Sequence, residues 1–474
     1  MKNLLFFMFC MLEAGVCLPQ HITYNILSYG ARGDGRTSNT GAFQKAIDAA
    51  SARGGGTVLV PAGNFITGVI HLKSNVSLYL AENAVVLGSA RRIDYGAGSA
   101  SALIVADSQQ NIAITGKGTI DGQGRLLLKD IYRMLEAGTL QDAEWKTYNP
   151  WHQIRPEERN RPKLIQFRRC DKIDIRGIMI KDGLCWIQDY RECSRLTIDS
   201  IRVKSTVMWN NDGIDVVDCQ QVRITHSFFD VDDDGICLKS ERAQGRCEDI
   251  EIADCTIRSS ASAFKIGTAS RGVFSNIRVR DLKIYDTYRS AIALETVDGA
   301  TLENIDIRNV TATNTGNAIF LRLGRRNRKA PAGILRHIYI GNVHVEIPAG
   351  KPDKGYEMEG PPVDEPHNVF PSSIVGLPGH PVEDVVLENI EVSVPGGASR
   401  DTAYVAADSV NLVPEREEAY PEFSMFGELP AAGVFVRHAR GIRLKKVHFI
   451  FRKEDFRPAC VFDDVSRLII DESN

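Results

Sequence analysis

The pattern apolar-x-apolar-x-x-apolar-x-apolar recurs along most of the chain, and it narrows the fold further than any other feature. Its first two positions are Ile173 and Ile175, Leu196 and Ile198, Val222 and Ile224, Ile250 and Ile252, and Ile277 and Val279. It continues at Ala300 and Leu302, Ile338 and Ile340, Val385 and Leu387, and Ile442 and Leu444. Early copies lie roughly 23 to 28 residues apart, a solenoid spacing. Each copy holds two period-2 runs broken by a two-residue corner such as Arg176-Gly177, Asp199-Ser200 or Glu388-Asn389. Runs this short make a stable sheet only if each coil stacks its strands on the next, which a parallel β-helix does. A propeller or sandwich needs hairpin turns of the Asn-Gly or Asp-Gly kind at regular intervals, and such turns are sparse here.

The flanking segments fit that architecture. Gly41 to Arg53 places Ala42, Phe43, Ala46, Ile47 and Ala50 on one helical face and ends at Gly54-Gly55-Gly56, which predicts a short helix capping the solenoid's open end. Three interruptions, near 126–162, 348–381 and 395–430, are expected as loops walling a binding face. The first carries Trp145, Tyr148, Trp151 and His152, aromatic residues suited to stacking on sugar rings or to packing on the solenoid. A single β-helix domain is therefore expected over 21–474. Residues 1–17, with Lys2 and then an apolar run from Leu4 to Leu12, read as a signal peptide, so the expected location is secreted or periplasmic. No later segment has the length and apolarity of a transmembrane helix.

A formal net charge of −3 provides no global field for nucleic acid or anionic membranes. The basic run Arg322, Arg325, Arg326, Arg328 and Lys329 reads as a solvated loop, with anion binding as the alternative. Of the ten cysteines, Cys170, Cys193, Cys219 and Cys247 each precede an apolar strand pattern at the same place in the repeat. That placement predicts a ladder of stacked free thiols rather than disulfides, although an exported protein permits the latter.

The chemistry is concentrated in two neighbouring segments, Asn210-Asn211-Asp212-Gly213-Ile214-Asp215 and Asp232-Asp233-Asp234-Gly235-Ile236-Cys237. If Ile214 and Ile236 both point into the core, Asp212 and Asp234 occupy one position on successive coils, about 4.8 Å apart. Crowding of that kind raises the pKa of at least one carboxyl. A protonated acid beside ionised carboxylates is what glycoside hydrolysis requires. The residues by themselves leave two other readings open: a calcium site, since clustered aspartates bind hard cations, and solvated turn aspartates with no role.

Further motifs add a resemblance. Tyr29-Gly30-Ala31, Gly33-Asp34-Gly35, Asn39-Thr40, Ala46-Ile47, Gly55-Gly56, Val60-Pro61-Ala62-Gly63, Gly118-Thr119-Ile120-Asp121-Gly122 and Arg161-Pro162-Lys163-Leu164-Ile165 together resemble the polygalacturonase family of glycoside hydrolases, family 28, from about Tyr24 to Leu323. The resemblance implies an all-β, single-stranded right-handed parallel β-helix and hydrolysis with inversion. The family's Asn-Thr-Asp motif matches Asn210-Asn211-Asp212, and its Gly-Asp-Asp motif matches Asp232-Asp233-Asp234. It thereby implies that Asp233 is the general acid and that Asp212 and Asp234 hold and deprotonate the attacking water.

Two motifs of the family are absent. Its Gly-His-Gly falls on Ala261-Ser262-Ala263, and its Arg-Ile-Lys, which grips a galacturonate carboxylate, falls on Ala293-Leu294-Glu295. Losing a forked arginine and gaining an acid removes the group best suited to that carboxylate. Lys265, one coil from the lost arginine, and Arg322, on the coil after Glu295, are candidate replacements; a cross-strand Glu295–Arg322 pair is the competing account. The expected substrate-binding residues are Asn210, Lys265 and Arg322. Unbranched polygalacturonate is expected to be a poor substrate, with a neutral sugar or a differently placed carboxylate preferred on the leaving-group side. The function expected is hydrolysis of a pectic or related polysaccharide or oligosaccharide by a monomer, with no metal and no cofactor. Its rivals are a calcium-dependent polysaccharide lyase and a non-catalytic glycan-binding β-helix.

Overall fold

The computed structural model describes residues 22–147, 153–361, 363, 365–401 and 405–474. The proposed signal peptide, with Tyr148, Trp151 and His152, lies outside them. The strands join in one continuous sheet wound into a right-handed parallel β-helix, and every pairing between named strands is parallel, as in Gln188–Arg191 with Ile214–Val217 and Ile214–Val217 with Ile236–Ser240. Inward positions stack like on like. Ile112, Ile173, Leu196, Val222, Ile250, Ile277, Ile305, Ile338, Val385 and Ile442 form one unbroken column in register. Each of these side chains is 2% exposed or less, and burying such a side chain stabilises the fold by about 1.5–3 kcal/mol.

That column reproduces the sequence repeat except at one copy. Ala300 and Leu302 are buried, but the residues in register with Ile277 and Val279 are Ile305 and Ile307. Leu302 instead pairs with Phe274 and Leu335. Both pairs alternate correctly for a strand, so the apolar pattern alone leaves the phase ambiguous. The predicted corners adopt left-handed backbone, with φ of 72° at Gly177, 55° at Ser200 and 55° at Asn389. Asparagine tolerates that region, and at the later corners its side chains link coil to coil: Asn342 donates to Asn309 at 3.1 Å and Asn389 to Asn342 at 2.9 Å.

The end cap forms as expected. Helix α1 (Thr40–Ala52) buries Ala42, Phe43, Ala46, Ile47 and Ala50, with Phe43 edge-on to Phe65. The first interruption departs from the expectation of a plain loop, because it opens with helix α2 (Gly124–Glu136), whose Leu127, Ile131 and Leu135 are buried. Their i, i+4, i+8 spacing is a helical stripe hidden among charged residues. Cys170, Cys193, Cys219 and Cys247 are buried free thiols, stacked so that the Cys193 amide donates to Cys219 Sγ at 3.3 Å. No helix among the described residues has the length and apolarity needed to cross a membrane.

Candidate active site

Four strands lie side by side on one face: Gln188–Arg191, Ile214–Val217, Ile236–Ser240 and Phe264–Ser270. The turns that enter them carry the site. The turn at Asp212 is held from both sides, by Ile187 N donating to the Asp212 carbonyl at 2.9 Å and Gly213 N donating to the Asp234 carbonyl at 2.9 Å. Gly213 is needed for this stacking, since a Cβ there lies 2.5 Å from the Gly235 carbonyl oxygen. Because Ile214 and Ile236 are in register, Asp212 and Asp234 share one position on successive coils, and each brings a carboxylate oxygen within 4.8 Å of the other and of Cys237 Sγ.

Asp212, Asp233 and Asp234 all line a cavity of about 440 Å³, together with Asn210 and Lys265. Asn210 Nδ2 lies 3.5 Å from an Asp233 oxygen. Asp232, at the family's glycine position, turns away toward the buried Arg258, 3.3 Å distant. Asn211, at the family's threonine position, is fully buried and donates to Gly183 O and Ser205 Oγ at 3.0 and 2.9 Å. Both departures from the family motifs therefore go into scaffolding behind the cavity.

The three carboxyls sit in different fields. Asp233 is pushed up to about 7, first by burial and then by the charges of Asp212 and Asp234, with Arg289 and Lys265 opposing. Burial also works against ionising Asp234, but Lys265, Lys239 and Arg289 outweigh it and hold this carboxyl below the ordinary aspartate value. Lys265 Nζ lies 3.2 Å from Asp234, and the Ser262 amide donates to it at 3.0 Å. Asp212 is raised, chiefly by burial and also by Asp234, against the pull of Lys239 at 2.9 Å. One carboxyl is thus poised to give a proton near neutral pH, beside another that is kept ionised.

Arg322 is not part of this arrangement, contrary to the expectation that it binds substrate. It is fully buried and donates to the carbonyls of Gly376, Glu415 and Arg416 at 3.1, 2.8 and 3.2 Å, with Phe426 beneath it at 5.1 Å. Glu295 and Arg322 are in register, yet Glu295 pairs with Lys265 at 3.7 Å. Lys265 is itself in register with Ala293, the position of the lost arginine. Of the remaining basic run, Arg325, Arg326 and Arg328 pair with Glu417, Asp298 and Glu418, and Arg326 reaches the cavity edge.

Residues from all three interruptions wall the cavity: Gln153, Arg155 and Glu158 from the first, Pro361 from the second and Tyr420 from the third. Trp145 does not, since it packs on Tyr132 of α2 at 5.1 Å between ring centroids. Sequence reasoning missed Lys239, which bonds to Asp212 and Asp215, and Trp186, whose ring lies 3.7 Å from Lys239 Nζ. It also missed the buried Arg161, which donates to Trp209 O at 2.6 Å and to Asn210 Oδ1 at 2.9 Å. Lys239 was legible in principle, because Ile236 and Leu238 face inward and period 2 then sends Lys239 to the outer face.

Comparison with known proteins agrees with this fold. An exo-poly-alpha-D-galacturonosidase of Dickeya chrysanthemi is 43% identical over 118 residues, 21% of this chain and 19% of that relative's length. A probable polygalacturonase of Vitis vinifera is 24% identical over 391 residues, 78% of this chain and 69% of its own. The fold matches that of a family 28 exopolygalacturonase from Yersinia enterocolitica with a TM-score of 0.69 at 19% identity, covering 95% of this chain and 78% of that one. An exopolygalacturonase from Thermotoga maritima gives a TM-score of 0.61 at 24% identity, covering 79% and 88%. The model of glycosyl hydrolases family 28 matches residues 51–350, more than half of the sequence, and the chain belongs to that family.

Proposed function

We propose that the protein hydrolyses O-glycosidic bonds of a pectic polysaccharide or oligosaccharide with inversion at the anomeric carbon. The observation that carries this reading is the pairing of an Asp233 carboxyl raised to about 7 with an Asp234 carboxyl held ionised in the same cavity. Asp233 gives its proton to the leaving oxygen as the bond from that oxygen to the anomeric carbon breaks. Water attacks the opposite face of that carbon, and Asp234, with Asp212 beside it, accepts the water's proton. Lys239 and Lys265 counter the two basic carboxylates, which allows carboxylates this close to coexist. The similarity of this chain to polygalacturonases supports a pectic substrate.

The test is incubation with defined pectic oligosaccharides, neutral and acidic, with the first-formed anomer read by proton NMR. An inverted hydrolysis product supports the assignment; an unsaturated product absorbing in the near ultraviolet, or binding without turnover, overturns it. The apolar run from Leu4 to Leu12 supports export, which N-terminal sequencing of the mature protein checks.

A further inference from the structure

The family's carboxylate-gripping arginine position is Ala293, and the lysine in register with it, Lys265, is engaged by Asp234 and Glu295 at 3.2 and 3.7 Å. If the substrate carries a carboxylate, some other cation has to read it. Six cationic side chains line the cavity: Arg155, Arg191, Lys239, Lys265, Arg289 and Arg326. Five have carboxylate partners inside the protein. Arg191 pairs with Asp189 at 2.9 Å, Lys239 with Asp212 at 2.9 Å, Lys265 with Asp234 at 3.2 Å, Arg289 with Glu422 at 3.4 Å and Arg326 with Asp298 at 2.7 Å.

Arg155 differs. Among the described residues it makes one hydrogen bond, to Gln153 Oε1 at 2.8 Å, and no carboxylate lies within ion-pairing distance. It is only partly exposed, and both burial and the charge of Arg161 act against its own charge, with Asp233, Glu158 and Glu144 acting in its favour. A partly buried guanidinium with no carboxylate in contact among the described residues is costly unless a ligand supplies the anion. Its segment is anchored: Glu157 N donates to Asp142 at 2.9 Å and Asn160 Nδ2 donates to Gln141 O at 2.9 Å. The fork is therefore presented on a fixed wall, near enough to Asp233 for the two charges to act on one another.

We propose that Arg155 is the specificity residue that reads a sugar carboxylate of the substrate, taking over from the first insertion the task that the strand at Ala293 no longer performs. The carboxylate is bound by the guanidinium's paired N–H groups, a geometry that a lysine ammonium does not reproduce. This rests on the hydrolase reading, and it places the recognised carboxylate on the wall formed by the first insertion.

The experiment compares the parent, Arg155→Gln and Arg155→Lys on one pool of pectic oligosaccharides with free carboxylates and on the same pool methyl-esterified. The parent should favour the free acid. In Arg155→Gln the acid-to-ester ratio of kcat/KM should fall by about tenfold or more, mainly through KM, and Arg155→Lys should recover part of it. A parent without preference, or an unchanged ratio in Arg155→Gln, overturns the assignment. Calorimetric binding of both pools to Asp233→Asn, with and without Arg155→Gln, gives a readout independent of turnover. If the parent cleaves neither pool, the hydrolase reading fails, while the binding preference and its loss still decide the role of Arg155. A melting curve for each variant separates recognition from folding.

Discussion

Lys265 and Asp234 meet across adjacent coils, ammonium to carboxylate at 3.2 Å, with side chains 2% and 5% exposed. The contact explains how an aspartate buried beside two other acids stays ionised: the lysine's field is the largest influence acting against burial. It adds to the substrate contact expected of Lys265, which lines the cavity, a second part: the cation that keeps the proposed base ionised.

Replacing Lys265 with Met removes that field, so the Asp234 pKa should rise. The basic form of Asp234 is present above its pKa, and a rise moves the acidic limb of the kcat/KM profile upward. We expect the limb to shift upward by about one pH unit or more, with the loss of turnover concentrated at and below the shifted limb. An unshifted acidic limb with a raised KM would leave Lys265 as a substrate contact alone.

In the proposed mechanism Asp233 sets the other limb. Its carboxyl, raised to about 7, is active when protonated, so kcat/KM should decline as pH rises through about 7 and drop tenfold per unit beyond. Asp233→Asn keeps the shape and removes the transferable proton, with an expected loss of about 10²–10⁴-fold in kcat. A full pH profile of the parent, together with circular dichroism of the variant, checks both statements. Because the lysines, not a metal, are assigned to counter Asp212 and Asp234, activity should survive a chelator.

The cysteine ladder makes a separate prediction. Cys170, Cys193, Cys219 and Cys247 should all react with a thiol reagent after denaturation without reductant, and none should react in the native protein, where each is 2% exposed or less. Their thiols donate to backbone carbonyls, Cys170 to Arg168 O at 3.1 Å and Cys219 to Tyr190 O at 3.3 Å, and burial raises the pKa of Cys247 to about 12. Disulfides detected among the four by peptide mapping would contradict the stacking.

The repeat and the two Asp-containing turns were legible because a parallel coil converts sequence spacing directly into stacking: once Ile214 and Ile236 are known to be in register, Asp212 and Asp234 follow. The same logic placed Lys265 beside Ala293. It failed for Arg322, which is in register with Glu295 but is drawn away by the carbonyls of Glu415 and Arg416 in the third insertion. Register predicts which backbones adjoin; it does not predict what an insertion folded over them will offer a long side chain. Arg155 and Tyr420 were unreadable for that same reason, since both belong to insertions whose course no repeat dictates.

Lys239 gives the most demanding test, because its two partners have different duties. Its ammonium bonds to Asp212, at the cavity, and to Asp215, which is fully buried behind it. Burial, and then the charge of Asp212, push Asp215 well above the ordinary aspartate value, with Lys239 as the group that opposes them. Lys239→Met leaves two buried acids facing one another without a cation, and breaking a buried pair from one side typically costs about 3–5 kcal/mol. Adding Asp215→Asn removes one of the stranded charges, so the double variant should recover most of that stability. It should not recover activity, because Asp212 still lacks the ammonium that favours its basic form. Urea titrations of the two single variants and the double, set beside their kcat values, separate the two duties. Coupled recovery of stability and turnover would show that Lys239 acts only through the fold, and additive losses would show that Asp215 and Lys239 do not share a charge balance.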